Sequence, residues 1–372
     1  MKRNKALFVL LAISVSIRVE AQFVENVTAG VVEFLSSEDI DYTSALVDHR
    51  LTKDDYEFRV SLISQRTEID YESVGFPIDI VTDSADRSEN YYSGSFEISK
   101  QLQQRFKGIA ILDLFDGFSR HQSIWLDEYY RQFWTDVEIE GDRYETPDPG
   151  GLGFVLGADW EWIPSNAFVR MRLGYSKQTI APGYDLSVEG DTAGQLVRGI
   201  EDLDVWSAEL SLEHLSSRTL RWNHSLSAVE TTGRKVRYGV ASALSAALSE
   251  SWILRLSGQY SREGSDVEAS LLRSSLIYAP NETWSFSVTG SYYKDNGEIE
   301  QSNLATDAAP GVIGYRYFLG ASWTSLDATH QITAQVGVYE QNYDELGLDL
   351  RFAPLYSSRN WDFFKIGYSI NW

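Results

Sequence analysis

Eight basic residues stand where chemistry could be done on a passing solute. Arg59, Arg170, Arg172, Arg221, Arg237, Arg255, Arg316 and Lys365 each sit between apolar neighbours, as in Phe58-Arg59-Val60 or Leu254-Arg255-Leu256. Asp159 and Glu161 are flanked in the same way by Ala158, Trp160 and Trp162, and so are Glu57 and Asp113. Charges of both signs on the polar side of greasy segments are the ingredients of ion selectivity in a watery passage, where the field between walls sorts solutes. Neutralisation between adjacent segments accounts for the same residues equally well. Arg170 and Arg172 follow Asp159 and Glu161 across Pro164-Ser165-Asn166, close enough for local pairing.

Covalent and metal chemistry find less support. The chain has no cysteine, which excludes disulfides, thiolate catalysis and Cys-based metal sites. The five histidines, at 49, 121, 214, 224 and 330, show no spacing of the His-Glu-x-x-His kind. His214 and His224 share the apolar parity of their segments. A lipid-side hydrolase built on them would need a serine of that parity, and Ser225 and Ser227 have the other. His121, near Asp116 and Asp127, is a poor start for a rim protease. Gly150-Gly151-Leu152-Gly153 reads as a turn before a strand, since no helix or Lys-Ser/Thr follows. No catalytic residue, metal or cofactor is expected. Carboxylates crowd two polar connections, Asp136, Glu138, Glu140, Asp142, Glu145 and Asp148 in one and Asp295, Glu298, Glu300 and Asp307 in the other. They read first as solvated faces that attract cations, and second as oxygen ligands bridging Ca²⁺ or Mg²⁺ to lipopolysaccharide phosphates. The segment Ile124 to Trp134 is aromatic and charged without a settled period. It reads as a loop helix or an extra strand, or else as an inward fold narrowing a pore, with Trp125, Tyr129 and Trp134 free to stack on sugars.

The elements that carry these residues alternate apolar with polar at period two. Trp252, Leu254, Leu256 and Tyr260 oppose Arg255, Ser257 and Gln259, and Phe364, Ile366, Tyr368, Ile370 and Trp372 oppose Lys365, Gly367, Ser369 and Asn371. That period places side chains on opposite faces of a strand. The segments run near ten residues, the length of a tilted strand crossing hydrocarbon, and many carry Trp or Tyr at their ends, as at a membrane interface. The sequence holds 11 Trp and 21 Tyr to supply such girdles. Lys2, Arg3 and Lys5, the apolar run Ala6 to Ile17 and Val19-Glu20-Ala21 read as an export signal over 1–21, leaving one domain over 22–372. Its removal takes four basic residues and one acid, so the charge moves from −22 to −25. Such acidity disfavours nucleic acid. Sixteen strands are counted, with fourteen to eighteen open because Gln122–Trp134 and Leu346–Phe352 are candidate extras. Long polar connections over 67–90, 119–151, 179–201, 294–311 and 341–360 would face outward and the tight turns the periplasm.

An amphipathic sheet in lipid leaves backbone groups unpaired at its edges, so these strands are expected to close into an antiparallel transmembrane β-barrel. The ending Phe364-Phe-Lys-Ile-Gly-Tyr-Ser-Ile-Asn-Trp372 resembles the C-terminal assembly signal of bacterial outer-membrane β-barrels, with a terminal aromatic preceded by apolar residues at every second position; Trp stands for the commoner Phe. The resemblance covers the last nine or so residues and implies recognition by the barrel-assembly machinery. The expectation is a porin-like outer-membrane barrel through which small hydrophilic solutes or ions diffuse with a preference for cations. It would sit among outer-membrane lipid and lipopolysaccharide, with a homo-oligomer open. The alternative is a non-conducting surface barrel whose loops bind a partner, and a hydrolase is a distant third.

Overall fold

A computed structural model describes residues 25–71, 85–125, 127–128, 148–180, 184–186, 196–198, 201–264, 267–297, 310–344 and 356–371. The expected export segment and Trp372 lie outside the described residues. The strands are β1 (Glu25–Ser36), β2 (Ile40–Lys53), β3 (Tyr56–Tyr71), β4 (Ala85–Gln103), β5 (Phe106–Gly117), β6 (Gly150–Ile163), β7 (Ala167–Ile180), β8 (Tyr184–Leu186), β9 (Leu196–Arg198), β10 (Glu201–Ser217), β11 (Leu220–Thr231), β12 (Arg237–Ala247), β13 (Trp252–Glu263), β14 (Val267–Tyr278), β15 (Trp284–Asp295), β16 (Val312–Thr324), β17 (His330–Tyr343) and β18 (Arg359–Asn371). β8 and β9 pair only with each other; the other sixteen form one closed antiparallel ring. β1 seals it, pairing with β2 on one side and with β18 on the other, from Val27 opposite Asn371 to Ser36 opposite Asp362.

Register turns the alternation of each strand into faces of the whole barrel. Leu210, Leu226, Val240 and Tyr260 lie side by side across β10 to β13. Leu276, Val288, Leu319, Val336 and Phe364 do so across β14 to β18. These rows are exposed, with Leu226 and Val288 each at 59%, whereas a water-soluble sandwich would bury them. The exposed belt ends in two aromatic girdles. Tyr56, Trp160, Trp162, Trp252, Tyr278 and Trp284 stand at the tight-turn end, and Tyr175, Trp206, Tyr238 and Tyr260 toward the other. The chain is therefore a transmembrane β-barrel of the outer-membrane type, with its apolar side chains turned to acyl chains.

The sixteen strands and their faces follow the sequence expectation, while the connections differ from it. Strands of 11 to 19 residues overrun the belt, so the connection expected over 67–90 shrinks to 72–84. The one expected over 179–201 carries the β8–β9 hairpin, and β11–β12 and β13–β14 are joined briefly at the same end. At the tight-turn end, β2 and β3 are joined by two residues, with Asp54 at φ 52°, the left-handed conformation such hairpins require.

The face assignment has a direct test. Leu226→Arg, in the middle of the belt, is expected to destabilise the barrel by roughly 2–4 kcal/mol in urea unfolding from phosphatidylcholine vesicles. Gln259→Arg, on the inner face between Ala241 and Leu271, should stay within about 0.5 kcal/mol of the parent. Equal costs at the two positions would mean that the apolar face does not meet lipid.

Candidate functional site

Every basic residue singled out in the sequence is offset by one position from an outward apolar residue, which places all eight on the inner wall together with Asp159 and Glu161. There the charges pair mainly with neighbouring strands. Arg59 Nε donates to Asp48 Oδ2 of β2 at 2.8 Å, and Ser61 Oγ donates to the same oxygen. Arg172 meets Asp159 at 2.8 Å, Arg237 meets Glu263 at 2.9 Å and Lys365 meets Glu33 at 3.1 Å. Arg170 does not pair with Asp159 or Glu161 across its turn. It and Arg221 converge on Glu213 of β10, at 3.4 and 2.5 Å. Glu161 instead accepts the backbone N–H of Ser165 and ties down that turn. Glu57 is held between Arg50 and Lys107, the latter at 2.7 Å. Of the carboxylates expected to form an acidic counter-wall, Glu57 and Asp159 are thus neutralised in place, whereas Asp113 and Glu161 have no cationic partner among the described residues.

What remains is a sparser set. Arg316 lies over the Tyr339 ring at 4.2 Å, a cation–π contact. Among the described residues Arg255 and Arg273 have no carboxylate partner. They sit with Arg316 in rows otherwise made of serine, Ser245–Arg255–Ser275 and Ser257–Arg273–Ser291–Arg316. Arg273 escaped the sequence analysis although Leu272 beside it is exposed on the outer face. The missing signal was the alternation of β14, where Leu271 and Leu272 adjoin.

The segment after β5 turns back into the barrel and is helical over 121–125 and 127–128. Its described part is thus helix where an extra strand was considered; 129–134, and the other candidate strand at Leu346–Phe352, lie outside the described residues. Ile124 and Trp125 are fully buried, and Gln122, Ser123, Asp127 and Glu128 nearly so. The segment meets inner-wall residues of three strands. Gln122 Nε2 reaches the Tyr343 hydroxyl of β17 at 3.3 Å, and the His121 ring lies 5.7 Å from Trp361 of β18. Arg87 of β4 pairs with Asp127, with Glu128 at 3.7 Å and with Glu89 at 2.7 Å. Trp125 is closed to solutes, so it offers no stacking platform; Tyr129 and Trp134 lie outside the described residues. Burial first, then Arg359 and Arg120, pulls the His121 imidazole down to about 3. A neutral, enclosed ring of this kind is no general base for a substrate.

Three of the remaining histidines point outward and meet hydroxyls, while His214 Nδ1 has no hydrogen-bond partner among the described residues and its ring lies 6.0 Å from that of His224. His49 Nδ1 lies 2.8 Å from Thr28 Oγ1, His224 Nδ1 3.1 Å from Ser242 Oγ, and His330 Nδ1 2.9 Å from the Tyr368 hydroxyl. Ser242 supplies the outward serine that the sequence lacked near His224, because β12 brings it across by register. The threefold recurrence reads as a way to satisfy a polar ring in an apolar belt. Hydrolysis would further need oxyanion donors, and the strand N–H groups there are engaged in the ladder. Of the acidic connections, Asp295 caps its own loop, with Oδ1 accepting the N–H of Gly297 and of Val312. Most of the other acids lie outside the described residues.

No family model matches the chain, and no curated protein matches it. Several solved structures align with most of its length. The Pseudomonas putida toluene transporter TodX aligns with a TM-score of 0.48 at 12% identity, covering 93% of this chain and 89% of that one. A bacterial polysaccharide outer membrane secretin aligns at 0.48 with 8% identity, covering 94% and 98%. Acinetobacter baumannii OccAB3 aligns at 0.45 with 6% identity, covering 94% and 99%. The outer-membrane assignment of this chain stands on its own closed ladder and apolar belt.

Proposed function

We propose that the barrel is a passive channel for small hydrophilic solutes and ions, with a preference for cations set at its mouths. The observation that carries this reading is the inner wall. Ion pairs, serines and glutamines line it from strand to strand, a surface that holds water in a ring of sixteen strands. The chain carries a net charge of −22, while the wall charges largely cancel in pairs. The excess negative charge then belongs to the rims and connections, where it concentrates cations over a Debye length. In this reading the C-terminal strand engages the assembly machinery, lipopolysaccharide surrounds the outer rim, and no catalysis is performed.

Reversal potentials under a KCl gradient test the selectivity. The expectation is a preference for K⁺ at about 0.1 M salt that fades toward about 1 M, as screening of a rim field requires. A preference for chloride at low salt, set by Arg255, Arg273 and Arg316, would overturn it.

The helical segment in the mouth favours a second reading, a silent barrel that presents its loops to a partner. Conductance decides between them. Arg87→Ala leaves Asp127 and Glu128 without their buried cation, a loss of about 3–5 kcal/mol that should undock the segment. A conducting parent should then show a larger unit conductance. A parent and variant that are both silent in planar bilayers would leave the surface-barrel reading standing.

Acidification should act on the same segment. An undocked His121 titrates near its ordinary value of about 6.5, whereas the docked ring stays neutral down to about 3. Above pH 6.5 docking is independent of pH. Below it only the undocked form gains the proton, so docking weakens about tenfold per pH unit. Conductance is expected to rise as the outer solution goes from pH 7 to 5, and His121→Phe should abolish the rise. A flat profile in the parent would exclude the coupling.

A further inference from the structure

We infer that the inner wall between β3 and β10 holds a binding recess for a neutral pyranose-sized sugar, built on Asp113, Phe115 and the glycine floor of β6 and β7. The recess measures about 380 Å³ and spans inward residues of six consecutive strands of the ring. It lies among pocket volumes that suit small ligands. The inference rests on the channel reading for how the solute arrives, and it names the solute class the wall would favour.

Three features converge there. The floor is bare backbone, because Gly153 and Gly174 face inward between side chains that crowd them. A Cβ on Gly153 would stand 3.3 Å from that of Ser176 and 3.6 Å from that of Asp113, and one on Gly174 would collide with Ser207 Oγ. Beside the floor lies an aromatic platform. Phe115 lies across Gly151, whose missing side chain makes the room, and its ring centroid is 6.1 Å from that of Tyr91. The third feature is Asp113, whose cross-strand neighbours are Ser95 and Gly153 and which has no cationic partner among the described residues. Its behaviour contrasts with Asp48, Glu57, Asp159, Glu213 and Glu263 on the same wall, all of which are paired.

The chemistry of these groups selects the ligand. An ionised carboxylate only accepts, so the solute must bring donors, either hydroxyls or an ammonium. An ammonium would use one charge and a ring face, leaving the remaining hydrogen-bonding groups idle. A pyranose uses more of them. Two adjacent hydroxyls face the two oxygens of Asp113, its C–H face lies on Phe115, and a further hydroxyl meets Ser95 beside Asp113. Aromatic faces and multiple neutral partners then give weak, reversible capture, which suits passage better than tight binding.

Saturation-transfer NMR on the full barrel in phosphatidylcholine nanodiscs tests the recess without requiring conduction, with glucose and maltose as probes and choline as the ammonium control. Glucose and maltose are expected to bind in the millimolar range. Asp113→Asn, close in shape and so compatible with the fold, should weaken them about fivefold, the loss of one charge-assisted hydrogen bond. Phe115→Ala should do the same, with folding checked by the heat-dependent gel shift. Binding of choline in preference to glucose, or equal glucose binding by parent and both variants, would overturn the proposal. Planar-bilayer recordings on the same preparations separate the two readings. A silent barrel that binds glucose through Asp113 keeps the recess and loses the channel, and a conducting barrel that binds neither sugar loses the recess alone.

Discussion

Backbone hydrogen bonding in a medium without water is the constraint from which the rest of this structure follows. Each unpaired N–H or C=O in hydrocarbon costs several kcal/mol, so a sheet placed there has no stable edge and must close. The seam between β1 and β18 is as regular as any other pair in the ring, with ten consecutive residue pairs from Val27–Asn371 to Ser36–Asp362. Once the ring is closed, the alternation of each strand has only one consistent outcome. The side bearing Leu173, Leu226 and Val288 faces lipid, and the side bearing Arg59, Arg172 and Lys365 faces the lumen.

Charges on that inner wall are arranged by register more than by position in sequence. Arg170 and Arg221 stand on different strands and share Glu213 because β7 and β11 both border β10. Hydrated pairs of this kind contribute little to stability. Their effect is on the field, since a cation and a carboxylate a few ångströms apart cancel at the distance of a solute in mid-lumen. The groups left over among the described residues therefore weigh more than their number suggests, Arg255, Arg273 and Arg316 in the serine rows of β13 to β16 and, across the ring, carboxylates that include Glu97, Asp113, Glu161 and Glu209.

Much of this could be read from the chain before any coordinates. The strand count and the inward placement of Arg59, Arg170, Arg255 and Lys365 follow from a period of two, which is local and needs no partner. Pairing is not local. Arg170 lies within a short turn of Asp159 and Glu161 yet reaches across to Glu213, some forty residues on, and Ser242 reaches His224 from the next strand. Neither contact leaves a trace in spacing, because the lengths of turns and bulges set the register. The helical segment over 121–128 was visible as a stretch without a period, but its destination was not. Whether such a stretch lies outside a barrel or inside depends on what the wall opposite offers.

What the wall offers is itself a departure from the barrel's rule. At the long-connection end several inward apolar residues are buried. Ile40 and Ile69 oppose each other across β2 and β3, Trp361 stands inward on β18 and Val312 on β16, and all four are buried. Inward apolar residues would be a defect in a lumen filled with water, since they would expose greasy surface to it. They are accounted for when a second apolar surface covers them, and Phe118, Ile124 and Trp125 provide one at that same mouth. The mouth is thus packed like a soluble core, with Arg87 and its carboxylates buried at its border, while the lower wall is packed like a solvated channel. One strand period serves both regions. At that mouth the inward residues of β2, β3, β16 and β18 face the barrel's own chain.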